Sequence, residues 1–281
     1  MMSLSPIPAT LALLAALASG AAPAAARVLE AGPGKLYALP SAAIAQARAG
    51  DTVRIAPGTY ADCATIAQDK LTVEGDGPGA RLAGKACAGK AILVVSGKDV
   101  AIRNLTLSGA RVPDRNGAGI RAEGGNLTIE NVRFEDNENG LMTAAIPGAR
   151  IAVLGSTFAG NGKCEPVCAH AIYAGRISAL RVERSRFEAT KDGHHIKSRA
   201  ALTEILDTDI DDGPAGTASY LVELPNGGDL VLAGSRLRKG PRAANKTAIV
   251  SIGAEGASNA TLSLRISGNT ASNALAPGRV E

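Results

Sequence analysis

The chain has 281 residues, 46% of them hydrophobic but only 2% aromatic, with a formal net charge of +4. It is too apolar and too weakly charged for a disordered chain. Beyond residue 26 no apolar run approaches the ~20 residues a membrane-spanning helix needs. With three Phe, four Tyr and no Trp, any core must be filled by Val, Ile, Leu and Ala.

Taken in chain order, the first element is a leader. The apolar stretch 11–18 (LALLAALA), followed by GAAPAAA, reads as a signal peptide over 1–26, cut after Ala26. It predicts export, to a periplasmic or extracellular location, and leaves 27–281 as a single domain. The Ala-rich segment 41–50 (SAAIAQARAG) predicts a short amphipathic helix. Four cysteines fit an oxidising compartment. Cys63 and Cys87 lie about one repeat length apart, and Cys164 and Cys168 flank Glu165-Pro-Val, so two disulfides in those pairs are expected. The absence of CxxC argues against zinc.

From residue 73 onward one pattern recurs. An apolar column runs Val73, Ile102, Ile129, Val153, Val182, Ile205, Leu232, Leu264, and five residues after its members stand Leu107, Phe134, Phe158, Phe187, Ile210 and Leu237. Every Phe of the chain falls in that second column. Apolar alternation of period two predicts strands, and a strand-only unit of roughly 20–30 residues predicts a stacked solenoid. A further strand precedes each unit, centred on Ile120, Leu141, Ile172, Ile196, Val222 and Val250, and ends in turn segments such as EGGN, AIPGA and LPNGG. The fold class is therefore all-β: a right-handed parallel β-helix, a single-stranded solenoid of about eight or more coils, capped by the N-terminal helix. The sequons at Asn104, Asn126, Asn245 and Asn259 read as turn residues of that solenoid.

If the strand centres point inward, their following neighbours form an outward row: Arg121, Met142, Tyr173, Lys197, Glu223, Ser251. His195 and Arg199 share the parity of Lys197, while His170 and His194 share a column two residues before the inward position. Removing a proton α to a uronate carboxylate needs a base, a cation and an acid. Lys197, Arg199, Tyr173 and His195 are the candidate catalytic set. His170, His194, Glu223, Arg121, Tyr220 and Asn226 are the candidate substrate-binding set, and no metal ligands are assigned. A glycosidase needs two carboxylates, and the row offers only Glu223, so elimination or epimerisation is favoured over hydrolysis. All the groups are expected on one solvent-open groove centred on Lys197. Substituting Lys197 by Ala is then expected to leave melting nearly unchanged.

The segment 50–60 (GDTVRIAPGTY) resembles the first coil of pectate-lyase-like β-helix proteins. Ile196-Lys197-Ser198-Arg199 resembles the Lys-Ser strand of the chondroitinase B and alginate lyase group, which implies Lys197 as the base. The sequence departs from the calcium site of that group, since Tyr173 and Met142 occupy its column; no cofactor is assigned, with calcium as the alternative that the resemblance leaves open. His170–Tyr173, Gly193–Ala200 and Thr217–Gly228 resemble segments of exported bacterial β-helix repeat proteins. Two functions follow. One is a lyase or C5-epimerase acting on an acidic, uronate-containing polysaccharide; the other is a non-catalytic carbohydrate-binding or envelope solenoid. Basic residues without interleaved aromatics argue against nucleic acid as a partner. Oligomeric state is not legible.

Overall fold

A computed structural model describes residues 25–165 and 167–274, together with Met2. The leader read over 1–26 falls outside those residues apart from Met2, Ala25 and Ala26. Period-two alternation becomes three parallel sheets of ten, eight and nine strands, plus a two-stranded hairpin, Lys163–Cys164 with Cys168–Ala169. The first sheet runs from Val28–Ala31 to Leu264–Ser267 and the second from Ala64–Ile66 to Val250–Ile252. The third runs from Gly58–Tyr60 to Thr270–Asn273. In each sheet every strand pairs with its counterpart one coil away, so the molecule is a parallel β-solenoid.

Corners are set by residues that accept left-handed backbone. Asn104, Asn131, Gly155, Arg184, Asp207, Gly234 and Gly268 all have φ between 47° and 64°. Each directly follows a strand of the first sheet, one per coil, and turns the chain toward the third. Asn and Gly carry the lowest penalty there, and the Asn131 side-chain amide donates to Asn104 Oδ1 at 2.9 Å. The turn reading of the Asn104 sequon is therefore met. Beside this corner a hydroxyl ladder satisfies main-chain donors: Val132 N–H donates to Ser156, Ser156 N–H to Ser185, and Thr208 N–H to Ser235.

The inward columns form the core. Ile102, Ile129, Val153, Val182 and Ile205 stack in register with no exposure. Phe134, Phe158 and Phe187 form a buried ladder with centroids 4.4 Å and 4.6 Å apart. At the last coil the register differs from expectation: Leu232 pairs with Ile266, and Leu264 pairs with Leu230. A slip of two residues leaves every side chain on the same face, so alternation alone does not reveal it. The AIPGA segment, read as a turn, lies largely within the strand Ile146–Leu154, where a bulge between Ile146 and Arg150 absorbs it.

The helix spans Pro40–Gln46, shorter than read, and buries Ala43 and Ile44 against the first coil. Both disulfides form as expected, Cys63–Cys87 and Cys164–Cys168, with Cα separations of 5.5 Å and 3.9 Å. The N-terminal strand is held by Asp51, which is buried and accepts from the Arg27 side chain and from the main-chain N–H of Arg27 and Arg48. The Arg27 guanidinium, aided by those N–H groups against burial, holds the Asp51 carboxyl well below the usual carboxylate range. Its contribution is therefore complete above the unfolded-state value near 4 and is lost as pH falls further. Asp51→Asn is expected to cost about 1.5–3 kcal/mol in denaturant unfolding at pH 7, with the difference from wild type shrinking in acid.

Candidate functional site

The second sheet places the outward row as read. Arg121 pairs with Met142, Met142 with Tyr173, Tyr173 with Lys197, Lys197 with Glu223, and Glu223 with Ser251. Tyr173, Lys197, Arg199 and Glu223 converge. Arg199 Nε donates to the Tyr173 hydroxyl at 3.0 Å, and Lys197 Nζ lies 3.0 Å from Glu223 Oε2. Asn226 Oδ1 accepts a hydrogen bond from Arg199 Nη1.

One member of the site has no signal in the strand pattern. Glu255, in the loop after Val250–Ile252, spans both cations: Oε1 accepts from Lys197 Nζ at 2.8 Å and Oε2 from Arg199 Nη2 at 2.6 Å. Its main chain is anchored separately, with Glu255 N–H donating to Pro225 O at 2.7 Å. The loop is polar and Gly-flanked, so only the fold reveals that it returns to the row. The structure thus adds a second carboxylate where the sequence offered only Glu223.

Four expectations are corrected. His195 does not reach the row: it is 0% exposed, with Nδ1 bonded to Thr190 Oγ1 at 2.7 Å and Nε2 to Asp212 Oδ1 at 2.8 Å. The strand begins only at Ile196, so the parity argument does not extend to the preceding bend, which turns the ring edge-on to Phe187. Lys197 is not at the centre of an open groove; it is 9% exposed, with Glu255 on one side and Glu223 on the other. Its direct ionic contacts are carboxylates. Arg121 stays apart, contacting Met142 Sδ and Glu123. Finally, Lys197→Ala is not a surface truncation, because it would leave Glu223 buried with the His194 ring as its remaining neighbour and no full counter-charge, a costly state.

Glu223 is itself buried and acts as an internal counter-ion. Its Oε2 lies 2.9 Å from His194 Nε2 and 3.0 Å from Lys197 Nζ. Burial opposes ionisation, but His194 and Lys197 outweigh it and hold the carboxyl below its ordinary range. Lys197 and Arg199 do the same to Glu255.

The two remaining histidines hold the turn into the sheet. Asn139 Oδ1 accepts from His170 N–H, His170 Nδ1 from His194 N–H, and His194 Nδ1 from Tyr220 N–H. Each acceptor Nδ1 fixes its ring as the Nε2–H tautomer, a hydrogen-bond donor and not a base. The rings of His170 and His194 stack at 4.9 Å, His170 stacks on Tyr173 at 5.6 Å, and Tyr220 lies 5.4 Å from His194. Burial, then the neighbouring His194, Lys197 and Arg199, depress the His170 proton affinity well below its usual value. His170 is thus neutral in the folded state while the unfolded chain takes up a proton below about pH 6.5. Stability contributed here is complete above that pH and falls as pH drops through it. In an NMR titration His170 should show no protonation step near pH 6.5; an ordinary imidazole titration there would contradict the ladder.

Among the described residues there is no cluster of three or more His, Cys, Asp or Glu arranged to hold a metal. No helix among them is long and apolar enough to cross a membrane. Asp136, in the acidic turn Asp136-Asn-Glu-Asn139, pairs with Arg111 and Lys191.

No protein-family model and no curated protein matches the chain. Among solved structures it is similar to a pectin methylesterase from Aspergillus niger, at 14% identity and TM-score 0.61, covering 90% of this chain and 88% of that one. It is also similar to the pectate lyase Pel9A, at 13% identity and TM-score 0.56, covering 90% and 78%. At these identities the likeness concerns architecture: the chain shares the right-handed parallel β-helix fold of these two proteins.

Proposed function

We propose that the protein acts on an acidic, uronate-containing polysaccharide at the outer face of the second sheet, removing the proton α to the carboxylate in β-elimination or C5-epimerisation. The observation that carries this reading is the Tyr173–Arg199 hydrogen bond beside Lys197. In this reading the Tyr173 oxygen is the proton acceptor, with the Arg199 guanidinium supporting the charge there, while Arg199 and Lys197 face the charge that develops on the substrate. Tyr173, once it has taken the proton, returns it to the leaving oxygen in elimination, and water reprotonates the opposite ring face in epimerisation, while Lys197 stays with the substrate carboxylate. Hydrolysis is disfavoured even with Glu255 present, because both carboxyls are held ionised and a glycosidase needs one of them as an acid. The solved structures of similar fold that act on pectin or pectate support an acidic polymer as the substrate class. Two disulfides support an oxidising, exported location.

The non-catalytic reading keeps one specific observation in its favour: Lys197 and Glu223 are already ion-paired with each other, as in a binding solenoid. Incubating the protein with polygalacturonate, methyl-esterified pectin, alginate and chondroitin sulfate separates the two. Elimination gives an unsaturated product absorbing in the ultraviolet. Binding without product or epimerised residues would select the non-catalytic solenoid, and methanol release from esterified pectin would replace elimination by ester hydrolysis.

A further inference from the structure

We infer that Lys197 and Arg199 form a carboxylate-binding subsite, and that the Glu255 side chain filling it is a tethered stand-in for a uronate carboxylate of the polymer. This rests on the reading of the face as uronate-binding and adds which groups hold the acid and what must leave first.

Glu255 uses its two carboxylate oxygens on two different cations, at 2.8 Å and 2.6 Å. That bridging mode asks nothing of the ligand except a carboxylate, and it is the mode a sugar acid would use. The two cations are not equivalent in their other contacts. Lys197 has Glu223 beneath it, whereas Arg199 is oriented by Tyr173 and Asn226. Both cation side chains are largely covered, at 11% and 19% exposure, while Glu255 is 44% exposed. The cations belong to the scaffold and the carboxylate to the surface.

Exchange also preserves charge. Removing Glu255 alone would leave two largely covered cations facing a single buried carboxylate, which is unfavourable. Replacing it by an incoming carboxylate keeps the balance. The displacement is local, because the loop is held by its main chain through Glu255 N–H to Pro225 O and Gly253 N–H to Leu224 O. Only the Glu255 side chain has to rotate away. The loop therefore competes with substrate at a subsite it leaves intact.

The test is calorimetric titration of trigalacturonate and trimannuronate, each as free acid and as methyl ester, into the full protein and its Glu255→Gln and Glu255→Ala variants. The expected result is at least tenfold tighter binding of a free acid by both variants than by wild type, with ester binding unchanged. Equal or weaker acid binding by the variants, equal affinity for acid and ester, or no binding of any probe would overturn the subsite. Turnover is read separately. Tighter acid binding without C5 proton loss upholds the subsite and removes the elimination reading. Turnover with acid binding unaffected by Glu255 removes the subsite and leaves elimination standing.

Discussion

Phe158→Ala should lower the unfolding free energy by about 3–5 kcal/mol, measured in denaturant against wild type. The ring has no exposure and is sandwiched between Phe134 and Phe187 at 4.4 Å and 4.6 Å. Truncation opens a void between two stacked neighbours that the coils above and below cannot close, because each is fixed by its own strand ladder. The ladder also bears on a sequence detail. A Cβ on Gly140 would lie 2.7 Å from Phe158 Cδ1, and one on Gly119 2.7 Å from Phe134 Cδ1. The Gly of Gly-Ile120 and Gly-Leu141 thus makes room for the aromatic column on the facing sheet. Phe158→Leu, which keeps most of the volume, should cost less than half as much as Phe158→Ala. A loss below about 1 kcal/mol for Phe158→Ala would mean that the ladder packs without carrying stability.

Tyr173→Phe should reduce turnover of the responsive polyuronate by about 10²–10⁴-fold while changing stability by only about 0.5–1.5 kcal/mol. The substitution deletes one oxygen, whose hydrogen bond is the 3.0 Å contact from Arg199 Nε. The ring, its stacking on His170 and the strand register remain. This makes it a cleaner probe than Lys197→Ala, which also uncovers buried Glu223. Full activity in Tyr173→Phe would remove that hydroxyl from proton transfer.

How much of this was legible depends on whether a feature repeats. The inward columns recur every coil, one of them carrying the three Phe on consecutive coils, so alternation locates them, and the outward row from Arg121 to Ser251 follows by parity. The slip at Leu264 was invisible because two residues restore the same face. His195 was misplaced because it stands in the bend before the strand, where parity ends. The histidine column was seen, but its Nδ1 atoms proved to be acceptors for the next coil's main chain, a role residue type does not reveal. Glu255 was missed because a single loop, with no counterpart in other coils, carries it back onto Lys197 and Arg199.

The central claim is that this face removes the proton α to a uronate carboxylate, and proton NMR of polygalacturonate, alginate and chondroitin sulfate incubated with the protein in deuterated buffer addresses it directly. Elimination and epimerisation share that step, so loss of the C5 proton signal from at least one polymer is the predicted result, abolished or strongly slowed in Tyr173→Phe. Full retention of the C5 proton in every polymer by folded wild-type protein would contradict it.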